Sequence, residues 1–348
     1  MNHITAAIDC LLGEVLSLRK GESLLILASD YPPTGLAQQV ERRAHELGHQ
    51  AESALLPERL GFYVEPPEEA ARKMRSANVI LDLARSSTYY SRATKEALRR
   101  GARVFCLSGL ESGEFERLML SVNSAEVRAL AQRLLALMRR STRIEILSDR
   151  SFALWASLGR PWSRELLQLP VFRRYLNSFF DEPSGLCMRP GTLSSLAGQV
   201  SFSGLRATIN GRLRIDGAVF PSEQDCPLAE PFSIDVRRGR VVKVEDSPAG
   251  NRLRKWLADN ARRGAREVMH FSFGLNPAAK LGNSILENER VFGALTLGIG
   301  YGARGAHKDL VAVAPSVWVD QKPLFSRGEL VHPEIPYQRS VLTRRPGS

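Results

Sequence analysis

Apolar and polar positions along this chain follow two different periods, and the change between them falls near residue 190. In the first 150 residues, short continuous apolar runs alternate with segments whose apolar residues recur three and four apart. SLLILAS (23–29), NVILDLA (78–84), ARVFCLSG (102–109) and TRIEILSD (142–149) are runs of strand length. Between them, the segment from Gly35 to Gly48, SRATKEALRRGA (91–102) and AEVRALAQRLLALMRR (125–140) carry the helical period. Buried-type strands separated by helices predict an α/β fold whose N-terminal domain, residues 1–150, is layered around a mainly parallel sheet. Its glycines form neither a GxGxxG after the first strand nor a phosphate-binding GxxxxGK motif, which argues against a nucleotide site of either kind.

Beyond residue 190 the alternation shortens to every second position. LRATINGRLRIDGAVF (205–220) and PFSIDVRRGRVVKVE (231–245) interleave Val, Ile and Phe with polar residues, and their Asn-Gly, Asp-Gly and Arg-Gly pairs predict antiparallel hairpins. A helix is expected between Gly250 and Ala265, followed by the apolar stretch MHFSFGLN (269–276). The pattern therefore divides into four parts: the first domain, a packed helical connection over 151–190, a C-terminal mixed α+β domain over 191–343, and a tail at 344–348.

Composition narrows the function classes. A chain of 348 residues that is 43% hydrophobic buries a large core. No apolar run approaches membrane-spanning length, and MNHITAAIDC has neither the basic region nor the apolar stretch of a secretory signal, so a cytoplasmic protein is expected. Cysteines 10, 106, 187 and 226 lack the short paired spacing of a zinc ribbon or a disulfide framework. The net charge of +11 invites a nucleic-acid reading, but the basic residues sit in helices beside acidic ones. Aromatics are only 7% and do not interleave with them. An anionic or carboxylate-bearing small molecule is the better match, with neither nucleic acid nor membrane as partner.

Candidate chemistry gathers around few residues, because the chain has only six histidines. In GYGARGAHKDLVAV (300–313), His307 and Asp309 are two apart and share one side of an extended segment. His270, in the stretch MHFSF, shares its strand face with Ser272. Two histidines and one carboxylate suffice for a non-haem iron site with open positions, or for a catalytic zinc with water. Arg85 follows the NVILDLA strand and precedes a Ser/Thr-rich loop, a place suited to holding a carboxylate. Cys226 has no histidine partner for nucleophilic catalysis, Glu223 and Asp225 read as loop surface, and Glu289 with Arg290 reads as a structural pair.

GLNPAAKLGNSILENERVFGALTLGIG (274–300) followed by GAHKDLV (305–311), with SSTYYSRATKEALRRGARVFCLSGL (86–110) ahead of them, resembles the thermophilic aminopeptidase T superfamily. That superfamily also holds the iron-dependent 2,5-dihydroxypyridine 5,6-dioxygenases. The resemblance places Gln199 of LAGQV where the two-metal peptidases carry a glutamate, His270 where they carry the metal-bridging glutamate, and Thr296 where they carry a histidine. Only His307 and Asp309 keep their ligand types. What the resemblance implies is the ligand set of the dioxygenase branch: His270, His307 and Asp309 holding one Fe(II) per chain, with Zn or Mn as the alternative. It also implies catalytic roles for Glu287 and for Tyr89 or Tyr90, which stand where that branch has a first-domain histidine. Arg85, Ser87, Gln199, Thr296 and Tyr301 are the candidate substrate-binding residues. The expected function is a mononuclear non-haem Fe(II) oxygenase that combines O2 with a small molecule. The alternative is a metal-dependent hydrolase (aminopeptidase, amidase or deaminase) using a metal-activated water. Loss of the second-metal ligands favours the oxygenase. Family members associate, so a homodimer or larger symmetric homo-oligomer is implied.

Overall fold

The computed structural model describes residues 3–29, 35–57, 64–149, 152–158, 184–185, 187, 189–222, 224–282 and 284–344. Most of the connection expected over 151–190, Glu223, and the tail beyond Arg344 lie outside the described residues. The chain divides into two compact units. One comprises Met1–Ala125, Ser184–Ala197 and Ser340–Ser348, and the other Glu126–Pro183 and Gly198–Arg339.

In the first unit, the apolar runs become the parallel strands β1 (Ser23–Ser29), β3 (Val79–Asp82) and β4 (Arg103–Cys106). The more polar β2 (Gln50–Leu56) lies at one edge, and β7 (Leu193–Ser195) at the other, giving the order β2-β1-β3-β4-β7. All four pairings are parallel. Helices α1 (His3–Cys10), α2 (Leu36–Glu46), α3 (Glu68–Ser76), α4 (Arg92–Arg99) and α5 (Ser112–Ser121) accompany the sheet. Ser91 starts α4 by accepting a hydrogen bond from the Thr94 amide at 3.0 Å, which satisfies one of the free donors of the first turn. Leu25, Leu27, Ile80, Val104, Met74 and Ala97 pack into one core cluster between sheet and helices.

Strand order reverses between β1 and β3, and open α/β sheets bind ligands beyond the strand ends at such a switch point. The loop leaving β3 there carries Arg85, Ser87, Tyr89 and Tyr90, and buried Asp82 organises it. The Asp82 carboxylate accepts from the amides of Ala84 (3.2 Å) and Thr88 (3.0 Å) and from the Thr88 hydroxyl (2.8 Å). Burial nevertheless pushes the Asp82 carboxyl up to about 6, against the pull of these hydrogen bonds.

Among the described residues, the second unit contains two antiparallel sheets. The larger has eight strands: β5 (Arg143–Asp149), β6 (Phe152–Ser157), β9 (Asn210–Ile215), β11 (Phe232–Arg237), β12 (Arg240–Val244), β16 (Ser316–Val319), β17 (Lys322–Ser326) and β18 (Glu329–Leu330). The smaller has the order β10-β15-β14-β13-β8, formed by β8 (Gln199–Phe202), β10 (Ala218–Phe220), β13 (Val268–Gly274), β14 (Leu295–Ile299) and β15 (Lys308–Ala312). Helices α6 (Ser124–Arg140), α7 (Pro248–Asp259) and the short α8 (Ile285–Asn288) complete the unit.

Two expected strand placements change. TRIEILSD is a strand, but it pairs antiparallel with β6 and β16 instead of extending the parallel sheet, whose fifth strand comes from Leu193–Ser195. Of the three glycine pairs expected to turn hairpins in 205–245, only Arg238-Gly239 does. Both residues have positive φ (49° and 69°), as the tight turn between β11 and β12 requires. Asn210-Gly211 opens β9, and Asp216-Gly217 carries the chain from β9 in the larger sheet to β10 in the smaller. Among the described residues, no helix is long and apolar enough to cross a membrane. All four cysteines are free and buried, and burial pushes the Cys226 thiol up to about 11.

Candidate metal centre

The two-residue period of a strand gives the five-stranded sheet two unlike faces. Phe202, Phe271, Phe273, Leu295, Leu297 and Leu310 are buried on one of them, and Phe202 stacks on Phe271 at 5.5 Å between ring centroids. Polar side chains occupy the other. His270 on β13, Gly298 on β14 and Asp309 on β15 are consecutive partners in one row across three strands. Ser201, Ser272, Thr296 and Val311 form the next row on the same face. His307, two residues before Asp309, joins that face, whereas Lys308 between them turns away. Its ammonium donates to the Pro221 carbonyl and stands 5.4 Å from the Trp256 ring, and burial pushes its pKa down to about 8.

His270, His307 and Asp309 each direct a donor atom to one point, all within 4.8 Å of one another. The Asp309 carboxylate lies between the two imidazoles, with Oδ1 3.4 Å from His270 Nε2 and Oδ2 3.3 Å from His307 Nε2. The rings are 5.4 Å apart and inclined by 23°. His307 Nδ1 lies 2.9 Å from the Gly300 carbonyl oxygen, which can only accept, so Nδ1 carries a proton and Nε2 is the metal-facing nitrogen. Gly300 can offer that carbonyl because its φ is +78°, in a turn where a Cβ would come within 2.5 Å of the Ala306 oxygen.

Two observations show that these residues fit a metal ion. Asp309 Oδ1 is buried and makes no hydrogen bond, a costly state for a carboxylate oxygen unless a cation compensates it. Gly298 leaves open the space in which the His270 ring lies: a Cβ there would fall 2.6 Å from Nε2, and closer still to Cε1 and Nδ1. Two imidazoles, one carboxylate and open positions are the donor set of mononuclear non-haem Fe(II) sites.

Electrostatics couples the three ligands. Burial alone would raise the Asp309 carboxyl, but the His307 charge and contacts from both imidazoles outweigh it and hold it far below the usual carboxylate range. Burial would likewise lower His307, yet Asp309, with help from the Gly300 carbonyl, raises it to about 9.

Of the other expected residues, Gln199 and Thr296 are on the polar face of the same sheet. The Thr296 hydroxyl is buried without a hydrogen-bond partner, and Gln199 is tied to Glu289 and Arg290. Glu287 accepts from the Lys280 amide at 2.6 Å and so fastens the segment ahead of α8. Glu289, read from sequence as a structural partner of Arg290, does pair with it (3.2 Å) and also lies beside Asp309. Burial and the Asp309 charge push the Glu289 carboxyl up to about 8, while Arg290 pulls it down. Tyr301 has Arg304 over its ring at 4.8 Å and packs where Gly264 lacks a side chain. Arg85, Ser87, Tyr89 and Tyr90 belong to the first unit, where the two tyrosine rings meet edge to face at 4.9 Å. The sequence reading missed Ser201 and the closeness of Glu289 to Asp309, which the folded chain alone brings together.

Residues 14–332 match the family described as NicX, 2,5-dihydroxypyridine 5,6-dioxygenase. The chain belongs to this family. Among solved structures, that of the 2,5-dihydroxypyridine dioxygenase from Pseudomonas putida KT2440 superposes with a TM-score of 0.73 at 15% identity, covering 95% of this chain and 98% of that one. Wild-type AmpT from Thermus thermophilus superposes with a TM-score of 0.60, also at 15% identity, covering 94% and 99%. No curated protein sequence matches. Both structural likenesses concern the fold, and the higher score falls on the dioxygenase side. Family membership together with the His/His/Asp site makes the chain a metal-dependent oxidoreductase with one divalent ion per chain.

The raised His307 pKa gives metal uptake at this site a definite pH dependence. Binding needs a neutral imidazole, so the ion must expel the proton that His307 retains below about pH 9. Uptake should therefore release about one proton per ion, and apparent affinity should climb by about tenfold per pH unit up to about pH 9 and level off above it. Titration calorimetry in buffers of different ionisation heat reads that proton. An affinity that stays flat from about pH 6 to 8 would contradict the assigned state of His307.

Proposed function

We propose that the chain is a mononuclear non-haem Fe(II) oxygenase whose substrate is a small carboxylate-bearing molecule, aromatic or derived from an amino acid. The observation that carries the reading is the convergence of His270, His307 and Asp309 around a buried carboxylate oxygen that has no other partner. Fe(II) bound there supplies a redox-active centre at which O2 and a chelating substrate react.

The chain's own residues supply binding and proton control. The Gly300 carbonyl fixes the His307 tautomer, and the buried Asp309 carboxylate supplies the negative charge of the site. Thr296 offers a hydroxyl, buried and without a partner, to an oxygen or nitrogen of the substrate. In the first unit, Arg85 is exposed at the sheet's switch point, and the Arg85 amide is anchored to Ser29 Oγ at 2.8 Å. With neighbouring Ser87 it suits a carboxylate better than any apolar group. Tyr89 and Tyr90 are the phenols we assign to hydrogen-bond or proton donation.

A panel of hydroxylated aromatic acids and their decarboxylated counterparts, assayed with Fe(II)-loaded protein, tests the substrate class. Turnover should be confined to the acids. Arg85→Ala should raise KM for an accepted acid by roughly 10- to 100-fold with kcat nearly unchanged, as expected for a lost charge-assisted hydrogen bond. Equal turnover of acids and decarboxylated analogues, or an unchanged KM in the variant, would sink the carboxylate assignment.

A further inference from the structure

A second buried carboxylate stands beside the three ligands without being one of them. Glu289 Oε2 accepts from Gln199 Nε2 at 3.0 Å and from Arg290 Nη1 at 3.2 Å. Arg290 Nη2 donates to Gln199 Oε1 at 2.7 Å, closing a ring of three side chains, and Nη1 also donates to the Leu286 carbonyl at 2.7 Å. The guanidinium is only 2% exposed. This ring fixes the direction of the Gln199 amide: its oxygen faces the cation, and its NH2 faces Glu289 and, at 3.5 Å, the Ser272 hydroxyl.

Glu289 is linked through Gln199 and Ser272 to the sheet face that carries Asp309, and two buried carboxylates so placed must share a proton or be compensated by positive charge. A divalent ion bound between them is one way to supply it. A guanidinium is another, and it differs in carrying a permanent charge with no coordination positions to offer. Here the guanidinium is built into the chain, paired with Glu289 and hydrogen-bonded to Gln199. Glutamine at 199 keeps the ring at one carboxylate, so its internal charge is already balanced.

We propose that Arg290 takes the place of a second divalent ion, occupying Glu289 and Gln199 and so restricting the centre to one metal with three protein ligands. The proposal rests on the three-ligand reading above. In it Arg290 and Gln199 are positioning residues, which set how many ions the site accepts.

Mn(II) binding tests this directly, counted by metal analysis after dialysis and read by electron paramagnetic resonance. Wild-type protein should take up one Mn(II) per chain with the spectrum of an isolated ion. The double variant Gln199→Glu/Arg290→Met, which swaps the internal cation for a further carboxylate, should take up two and show the spectrum of an exchange-coupled pair. Glu289→Gln, which keeps the side chain's shape, should bind one Mn(II) within about threefold of the wild-type affinity, because Glu289 is not a ligand. A folded double variant that still binds one ion overturns the proposal. So does a Glu289→Gln variant whose Mn(II) affinity falls by more than about tenfold, which would make Glu289 a ligand. Should the double variant fail to fold, the Glu289→Gln titration decides alone. Wild-type protein that takes up no ion would overturn the three-ligand reading itself, an outcome distinct from either of these.

Discussion

Gly298→Ala should weaken metal binding by more than about a hundredfold although it removes no ligand, since even contacts outside the ligand set are worth about 10- to 100-fold. The added methyl would lie 2.6 Å from His270 Nε2 and closer to two other ring atoms, well inside van der Waals contact. The His270 ring is partly accessible, with 16% of its side-chain surface exposed, so it can rotate outward instead of forcing the strands apart. Rotation carries Nε2 away from the point it shares with His307 and Asp309. The stability cost should therefore stay at the lower end of overpacking, about 1–3 kcal/mol, while metal affinity collapses. Urea unfolding and a metal titration on the same preparation separate the two effects. A variant with wild-type affinity would show that His270 does not bind the metal in the orientation described.

The second large effect belongs to His307→Ala. It removes one ligand and the stronger of the two electrostatic partners of Asp309. Metal binding should become undetectable. Metal-free protein should also lose stability in its second unit, up to about 3 kcal/mol at neutral pH, because a buried carboxylate keeps only one imidazole. The pH dependence follows from the direction of the His307 shift. Its pKa rises from an ordinary value near 6.5 to about 9, so its contribution to the folded state is fully present below about pH 6.5 and fades as pH rises through about 9. The stability gap between wild type and variant should narrow over that window. The first unit, with its own sheet and core cluster, should unfold as in the wild type. A variant that keeps one ion per chain at wild-type affinity would contradict the ligand assignment.

Much of this was readable from local pattern. SLLILAS and ARVFCLSG are continuous apolar runs because parallel strands are covered on both faces, and they form strands where expected. The spacing of His307 and Asp309, and the parity of His270 with Ser272, put the correct side chains on one face before any register was known. QAESALL was not legible as β2, since that edge strand alternates exposed and half-buried residues along most of its length. The sheet to which TRIEILSD belongs was equally hidden, because strand partners are set by contacts distant in the chain. Glu287 was read as catalytic and Glu289 as a structural partner of Arg290. They flank the end of a single helical turn, and only its termination at Asn288 sends the first to a backbone amide and the second towards Asp309. Gly298 carried no signal beyond being one glycine among several in LGIGYG. Its importance appears once β14 lies between β13 and β15.

Two histidines and one aspartate form a site for one redox-active metal. Protein purified without oxygen, analysed for metal content and then assayed with and without O2, tests this assignment most directly. About one iron per chain is expected, with turnover that stops when O2 is removed. One zinc per chain with turnover indifferent to O2 would contradict the assignment and give the same three ligands to hydrolysis.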